Sequence, residues 1–243
     1  MKTNKKFNLE KQEILSGSRI LKNSKTKNRI DYFYENAEEN YLVKNNILDL
    51  ETFKKKFKDY REAWNGQPDQ IIENFKNENV KNNYEIKDFF KPLCIDLELA
   101  SICDLACPHC FREYLATPDK IMSIDFAKKI ISDAKNNNVP SIKFNWRGEP
   151  LLHSSLGKLI KFAKDEGILE TIINTNATNL TEKKSNELIN SGLDYMIYSF
   201  DGGTKKTYEK LRPGRFKENK FENVLQNIKN FSNLKKKLNV KFP

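Results

Sequence analysis

This 243-residue sequence has no long apolar run, only two histidines and no widely spaced cysteines. No apolar stretch reaches the roughly 18 to 20 residues that cross a bilayer, and residues 1–6 are not followed by the apolar segment of a signal peptide. All four cysteines fall within seventeen residues, which is not the pattern of a disulfide framework in a small secreted fold. We therefore expect a cytoplasmic protein with no membrane partner.

The net charge of +10 is concentrated at the two ends of the sequence. Residues 1–30 and residues 211–243 each have nine Lys or Arg against two Asp or Glu, whereas the segment between them is slightly acidic. A nucleic-acid-binding face would interleave its cations with aromatic side chains on a folded surface. The two ends are rich in Lys and Asn instead, so we favour a solvated basic surface over a nucleic-acid partner.

The pattern of apolar residues divides the sequence into three segments. Residues 1–30 have scattered apolar residues among Lys and Asn, which predicts a mobile basic tail. Residues 31–91 predict a helical extension, with a first helix that ends at Asn65-Gly66 and a second that begins at Pro68. The first helix is indicated by apolar side chains at three- and four-residue intervals, namely Leu50, Phe53, Phe57, Tyr60 and Trp64. Residues 92–243 form the third segment.

Strand and helix patterns alternate throughout the third segment. Apolar runs and period-two alternation predict strands at residues 93–99, 142–146, 169–175 and 194–200, and a fifth strand that begins at Leu238. Helical periodicity predicts helices at residues 123–137, 153–166 and 181–191, and a further helix from Phe221. This order is typical of the α/β class, with parallel strands joined by right-handed helical crossovers in an open sheet or a β/α barrel. In such folds the chemistry lies beyond the carboxyl ends of the strands.

Three cysteines directly follow the first predicted strand. Cys103, Cys107 and Cys110 are separated by three and then two residues, so their sulfurs can converge on one centre. Thiolates are the usual ligands of iron–sulfur clusters and of structural zinc. A closed site needs four protein ligands, so a three-cysteine loop leaves one metal position free. Cys94 lies about 30 Å away along extended chain, and we expect it to be a buried core thiol.

Residues 92–243 resemble the radical S-adenosylmethionine (radical SAM) enzymes. Their signature is a CxxxCxΦC loop after the first strand, with Φ aromatic, and here His109 occupies the Φ position. Their second motif, Gly-Gly-Glu-Pro after the second strand, is similar to Arg147-Gly148-Glu149-Pro150. The resemblance implies a partial (β/α) barrel of the radical SAM type, apparently truncated after the fourth unit. The run from Ser199 to Arg212 is similar to members that continue into a SPASM or twitch C-terminal domain.

The resemblance also implies the cofactors. Cys103, Cys107 and Cys110 would hold a [4Fe-4S] cluster, and the iron without a protein ligand would bind S-adenosyl-L-methionine. An external one-electron donor would drive reductive cleavage of that cofactor, and the resulting radical would take a hydrogen atom from a small-molecule, sugar or peptide substrate. We expect a peptide or carbohydrate-type substrate, and the sequence identifies no catalytic residue.

The same resemblance assigns further cofactor contacts to residues at the strand ends. Gly148 would let the backbone approach the methionine moiety and Glu149 would accept from its ammonium group, with Pro150 completing the motif. His109 would lie against the adenine. Contacts to ribose or carboxylate fall to Asn176 and Ser199.

Two departures from the family pattern leave alternatives open. Arg147 replaces the first glycine of the second motif, so either the turn forms with a side chain present or the arginine binds an anionic group. A histidine at the Φ position permits a Cys₃His zinc site, although His109 adjoins Cys110 and would have to turn back onto the same ion. The alternative function is therefore a non-catalytic zinc or iron–sulfur module whose basic ends contact nucleic acid.

Overall fold

The computed structural model describes residues 29–76, 92–115 and 118–243. They belong to two compact units, one that ends at Ala37 and one that spans Glu38–Pro243. Most of the predicted basic tail, and residues 77–91 of the predicted extension, lie outside the described residues. Helix α1 (Arg29–Glu35) belongs to the first unit. Everything below concerns the second unit.

The second unit contains a four-stranded parallel sheet in the described residues. The strands are β1 (Cys94–Asp96), β2 (Ser141–Lys143), β3 (Glu170–Thr175) and β4 (Tyr195–Tyr198). They lie in the order β1-β2-β3-β4, and each pairs in parallel with the next. The predicted α/β fold with a parallel sheet is confirmed, although each strand is shorter than its apolar run.

Helices connect successive strands, as the alternation predicts. Helix α4 (Ile124–Asn136) follows β1, α5 (Leu156–Asp165) follows β2, and α6 (Glu182–Asn190) follows β3. Ser123 and Thr181 begin α4 and α6 because each side-chain oxygen accepts from a backbone N–H in the first turn. Helices α7 (Lys205–Leu211) and α8 (Phe221–Leu238) follow β4. Short 3₁₀ turns lie at Phe111–Tyr114 and Pro150–Leu152.

One apolar core joins the sheet to these helices. Ile142, Phe144 and Ile173 are fully buried in or beside the central strands, and Ile131 and Leu159 cover them from α4 and α5. Burying such side chains contributes about 1.5–3 kcal/mol each. The core therefore holds the strands in register and places their carboxyl ends side by side.

The helical extension differs from the prediction at Pro68. Helix α2 spans Tyr41–Lys44, and α3 runs without a break from Leu50 to Lys76, so the predicted division into two helices is wrong. Proline removes one backbone donor and frees the carbonyl four residues earlier. Here that carbonyl belongs to Trp64, which lies in an exposed part of the helix. Water can therefore satisfy the carbonyl, and the helix continues.

The end of the chain also differs from the prediction. The fifth strand predicted from Leu238 is wrong, because Leu238 is the last residue of α8 and no strand follows in the described residues. Lysines in the last turn complement the negative end of the helix dipole. Asn239 then ends the helix in the left-handed conformation, with φ of 50°. Helix α7 was not predicted.

Within the described ranges, no helix combines the length and apolar character needed to cross a membrane.

Candidate functional site

The carboxyl ends of the four strands surround a cavity of about 220 Å³. Eight of the nine residues predicted from the sequence line this carboxyl-end cavity: Cys103, Cys107, His109, Cys110, Gly148, Glu149, Asn176 and Ser199. Pro150 is not part of the lining, because it is buried at the start of the 3₁₀ turn Pro150–Leu152. The fold therefore gathers at one place residues that are far apart in sequence.

The cysteine loop, residues 103–110, presents three free thiols to the cavity. Cys107 is buried, with 7% of its surface exposed, and Cys103 and Cys110 are half-buried. Burial raises the pKa of Cys107 and raises the pKa of Cys103 to about 12. Iron and zinc bind the thiolate, so ligation at these positions must release protons.

The described residues contain no group of three or more His, Cys, Asp or Glu side chains placed to hold a metal ion. Zinc ligands in such a group converge on one centre at about 2.0–2.3 Å. His109 points elsewhere, because its Nε2 lies 3.2 Å from the Asp201 carboxylate. In the described residues, therefore, neither a Cys₃His zinc site nor a three-cysteine site is preformed, and His109 is paired with Asp201.

Asp104 ties the cysteine loop to the loop after β3. Its carboxylate accepts from Asn176 Nδ2 at 2.8 Å, from Thr178 Oγ1 at 2.5 Å and from Asn179 Nδ2 at 2.9 Å. Asn227 of α8 supports the same loop by donating to the carbonyls of Ala177 and Thr178. The position of the three thiols thus depends on a carboxylate that the sequence reasoning did not single out.

Asp104→Asn is expected to destabilise the protein by about 1–3 kcal/mol, because the new amide would place a donor against at least one of these three donors. Urea unfolding measures the change. Asp133→Asn on the exposed face of α4 is the matched control and should leave the free energy of unfolding within about 0.5 kcal/mol of the parent. Equal unfolding midpoints for Asp104→Asn and the parent would contradict this role of Asp104.

Glu149 is a buried carboxylate at the cavity wall, with 2% of its surface exposed. It accepts from the backbone N–H of Leu151 at 3.0 Å, from Thr175 Oγ1 at 2.7 Å and from the backbone N–H of Asn176 at 2.8 Å. These donors are neutral, and burial raises the pKa of Glu149 to about 7. A cation in the cavity would stabilise the ionised form of Glu149.

Gly148 is required by the close packing of its loop against the chain after β1. A Cβ at this position would lie 2.0 Å from the carbonyl oxygen of Ala100 and 2.6 Å from that of Ile102. The neighbouring N–H of Glu149 donates to Ile102 at 2.9 Å. The predicted approach of Gly148 to a methionine moiety stays a prediction, and the structure adds this steric reason for a glycine.

The structure provides Arg147 with a partner. Its backbone N–H and Nε donate to Glu98 Oε1 at 2.9 and 3.0 Å, and its Nη2 lies 2.6 Å from Glu98 Oε2. Such a bidentate pair is geometrically specific. Arg147 therefore joins the loop after β2 to the chain after β1, and the anionic group that it binds is Glu98.

Two polar atoms at the cavity are buried and have no hydrogen-bond partner among the described residues. They are the side-chain oxygen of Asn174 and the Nε–H of Arg212. The backbone N–H of Asn174 is satisfied by Asn145 Oδ1 at 2.8 Å. An unpaired buried polar group destabilises the folded protein by about 1–3 kcal/mol. These two atoms are therefore available to form hydrogen bonds with a ligand in the cavity. Position close to the carboxyl end of a strand was the sequence signal that could have identified Asn145 and Asn174.

Comparison with known proteins identifies one family. The protein-family model described as the radical SAM superfamily matches residues 97–241. PqqA peptide cyclase of Bradyrhizobium diazoefficiens is 32% identical over 123 residues, which are 50% of this chain and 32% of that protein. The chain therefore spans about a third of the length of this curated relative.

Solved structures share the fold at low sequence identity. Streptococcus suis SuiB bound to its precursor peptide SuiA matches 84% of this chain and 43% of its own, with a TM-score of 0.50 and 18% identity. Native anSMEcpe with bound AdoMet matches 59% of this chain and 42% of its own, with a TM-score of 0.51 and 21% identity.

Proposed function

Because the chain belongs to the radical SAM superfamily, we propose that it is part of an enzyme that removes a hydrogen atom from a peptide or carbohydrate-type substrate. The family uses a [4Fe-4S] cluster and S-adenosylmethionine. The observation that carries the proposal is the meeting of the cysteine loop with Gly148, Glu149, Asn176 and Ser199 at one cavity. Parallel α/β folds collect their chemistry at this edge of the sheet.

The residues at the cavity fit these cofactors chemically. Three thiols can supply three iron ligands and leave one iron for a chelating cofactor, so we assign Cys103, Cys107 and Cys110 to the cluster. Glu149 is a buried carboxyl group with neutral donors only, and a cation such as the ammonium group of S-adenosylmethionine would favour its ionised form. The unpaired oxygen of Asn174 and the side chains of Asn176 and Ser199 add polar groups for the rest of that molecule.

When bound, the cluster and S-adenosylmethionine together supply a carbon-centred radical that abstracts hydrogen. The chain's own contribution is to bind and orient. Glu149 holds the loop after β3 through Thr175 and Asn176, so the carboxylate that would meet the cofactor also fixes the cavity wall. His109 remains our proposed adenine contact, and its link to Asp201 would orient the ring.

A peptide substrate has the stronger support. One relative is named a peptide cyclase, and the SuiB structure contains a precursor peptide. Trp146 lines the cavity and is about half exposed, and Phe111 and Tyr114 are exposed beside the cysteine loop. Such aromatic side chains can bind apolar side chains of a peptide at low entropic cost.

Clustered thiols favour a reducing compartment such as the cytoplasm, where an external one-electron donor would be available.

The test is anaerobic reconstitution followed by an assay for 5′-deoxyadenosine. The protein should bind about four iron and four sulfide, as a [4Fe-4S] cluster requires, and should form 5′-deoxyadenosine from S-adenosylmethionine when dithionite supplies electrons. Zinc without sulfide would instead support the alternative of a non-catalytic metal module. A protein with an intact cluster that forms no 5′-deoxyadenosine above background would count against the proposed activity.

A further inference from the structure

A four-residue segment after α7, residues 212–215, runs along the cysteine loop. We call it the strap. Ala106 donates its backbone N–H to the carbonyl of Pro213 at 2.9 Å, and Arg215 donates its own to the carbonyl of Asp104 at 2.8 Å. Leu105 and Gly214 form an antiparallel bridge between these two bonds. The strap is therefore held to the middle of the cysteine loop by its backbone, whatever its side chains do.

The strap places one cation against a cysteine that the proposed function assigns to iron. Arg212 Nη1 lies 3.8 Å from Cys107 Sγ, and Arg212 Nη2 lies 2.5 Å from the Asp201 carboxylate. The Arg212 side chain is 12% exposed. Its Nε–H is buried without a partner in the described residues, so the guanidinium has a donor left for a group in the cavity.

The second arginine of the strap has different surroundings. Arg215 lies 3.5 Å from the Asp119 carboxylate and packs over the ring of Phe216, with 5.7 Å from its Cζ to the ring centroid. No hydrogen bond between Arg215 and a cysteine sulfur occurs in the described residues. The two arginines thus have the same charge and neighbouring positions, but of the two only Arg212 hydrogen-bonds to a thiol.

We propose that Arg212 is a positioning residue that raises the reduction potential of the cluster through Cys107, an inference that rests on the proposed function. Reduction adds one electron from the external donor to the cluster, and no bond is formed or broken in that step. The three thiolates already make the site anionic, so a nearby cation favours the added electron. Hydrogen bonds to the sulfurs and local net charge are established controls of cluster potential.

Asp201 reduces this effect without cancelling it. Its carboxylate is 40% exposed and also faces His109, so solvent screens its charge more than that of Arg212. The pair presents its positive end to Cys107. Both the hydrogen bond and the remaining field therefore favour the reduced state.

The experiment measures the midpoint potential of the reconstituted chain in the absence of S-adenosylmethionine. Arg212→Gln, Arg212→Lys and the control Arg215→Gln are titrated with dithionite and followed by electron paramagnetic resonance. The four cysteines of the chain allow only one cluster with three cysteine ligands, so the signal belongs to this site. Arg212→Gln should shift the midpoint to a more negative potential, Arg212→Lys should lie between it and the parent, and Arg215→Gln should match the parent.

Each other outcome has a definite meaning. If the cluster is lost from Arg212→Gln but not from Arg212→Lys, a midpoint of Arg212→Lys more negative than that of the parent supports the inference, and an equal midpoint overturns it. An unchanged midpoint in Arg212→Gln, an equal shift in Arg215→Gln, or loss of the cluster from both Arg212 variants would overturn it. If the parent chain itself binds no [4Fe-4S] cluster, the proposed function fails first, and the inference fails with it.

Discussion

Cys107→Ala is expected to abolish the binding of iron and sulfide. A cluster with three cysteine ligands has no spare protein ligand, and Cys107 is a buried residue of the loop. No other cysteine is available to replace it, because Cys94 lies in β1 and is paired across the sheet with Ser141. Iron and sulfide analysis after anaerobic reconstitution, together with the visible absorption of the cluster, measures the change. Formation of 5′-deoxyadenosine should be lost with the cluster.

Cys94→Ala is the matched control for this change. Cys94 is half-buried at the opposite end of the sheet from the cavity, so its removal should leave the iron and sulfide content of the protein unchanged. A Cys107→Ala protein that kept its cluster would mean that the ligands are wrongly assigned. Loss of iron from Cys94→Ala alone would have the same meaning.

Lys164→Met is expected to lower the free energy of unfolding by about 3–5 kcal/mol. Lys164 is fully buried, and its Nζ donates to Asp194 Oδ2 at 2.8 Å and to the carbonyl of Leu169 at 3.0 Å. Removing the ammonium group would leave the Asp194 carboxylate buried with neutral donors only, from Asn40 and Thr171. Chemical denaturation with a fluorescence or circular dichroism readout measures the loss.

Lys161→Met, one turn earlier in α5, is the control for Lys164→Met. Lys161 forms an exposed pair with Asp165 at 2.9 Å, and exposed pairs contribute about 0–1 kcal/mol. Comparable losses in the two variants would show that the buried pair has no special role. Because the Lys164–Asp194 pair lies at the amino ends of β3 and β4, away from the carboxyl-end cavity, folded Lys164→Met protein should still bind the cluster.

The α/β order of the chain could be predicted because its signals are local. Helix α4 has apolar residues at helical spacing and a serine cap, and both features lie within fifteen residues. Local signals failed where distant or competing effects decide the outcome. Pro68 indicated a helix start, but its surroundings in α3 tolerate the missing donor. Leu238 resembled the start of a strand, but α8 continues as far as this residue and leaves its side chain exposed.

The sequence alone determined which residues carry the proposed chemistry. The spacing of Cys103, Cys107 and Cys110 and the run Gly148-Glu149-Pro150 are properties of short segments, and the order of parallel strands brings their ends to one edge of a sheet. Only the tertiary structure decided the partners of these residues. Asp104 binds Asn176 across 72 positions, and Arg212 reaches Cys107 across 105. Such pairs depend on how the packed helices and strands bring distant loops together. The spacing of residues along the sequence does not give the distance between two such side chains in the folded protein.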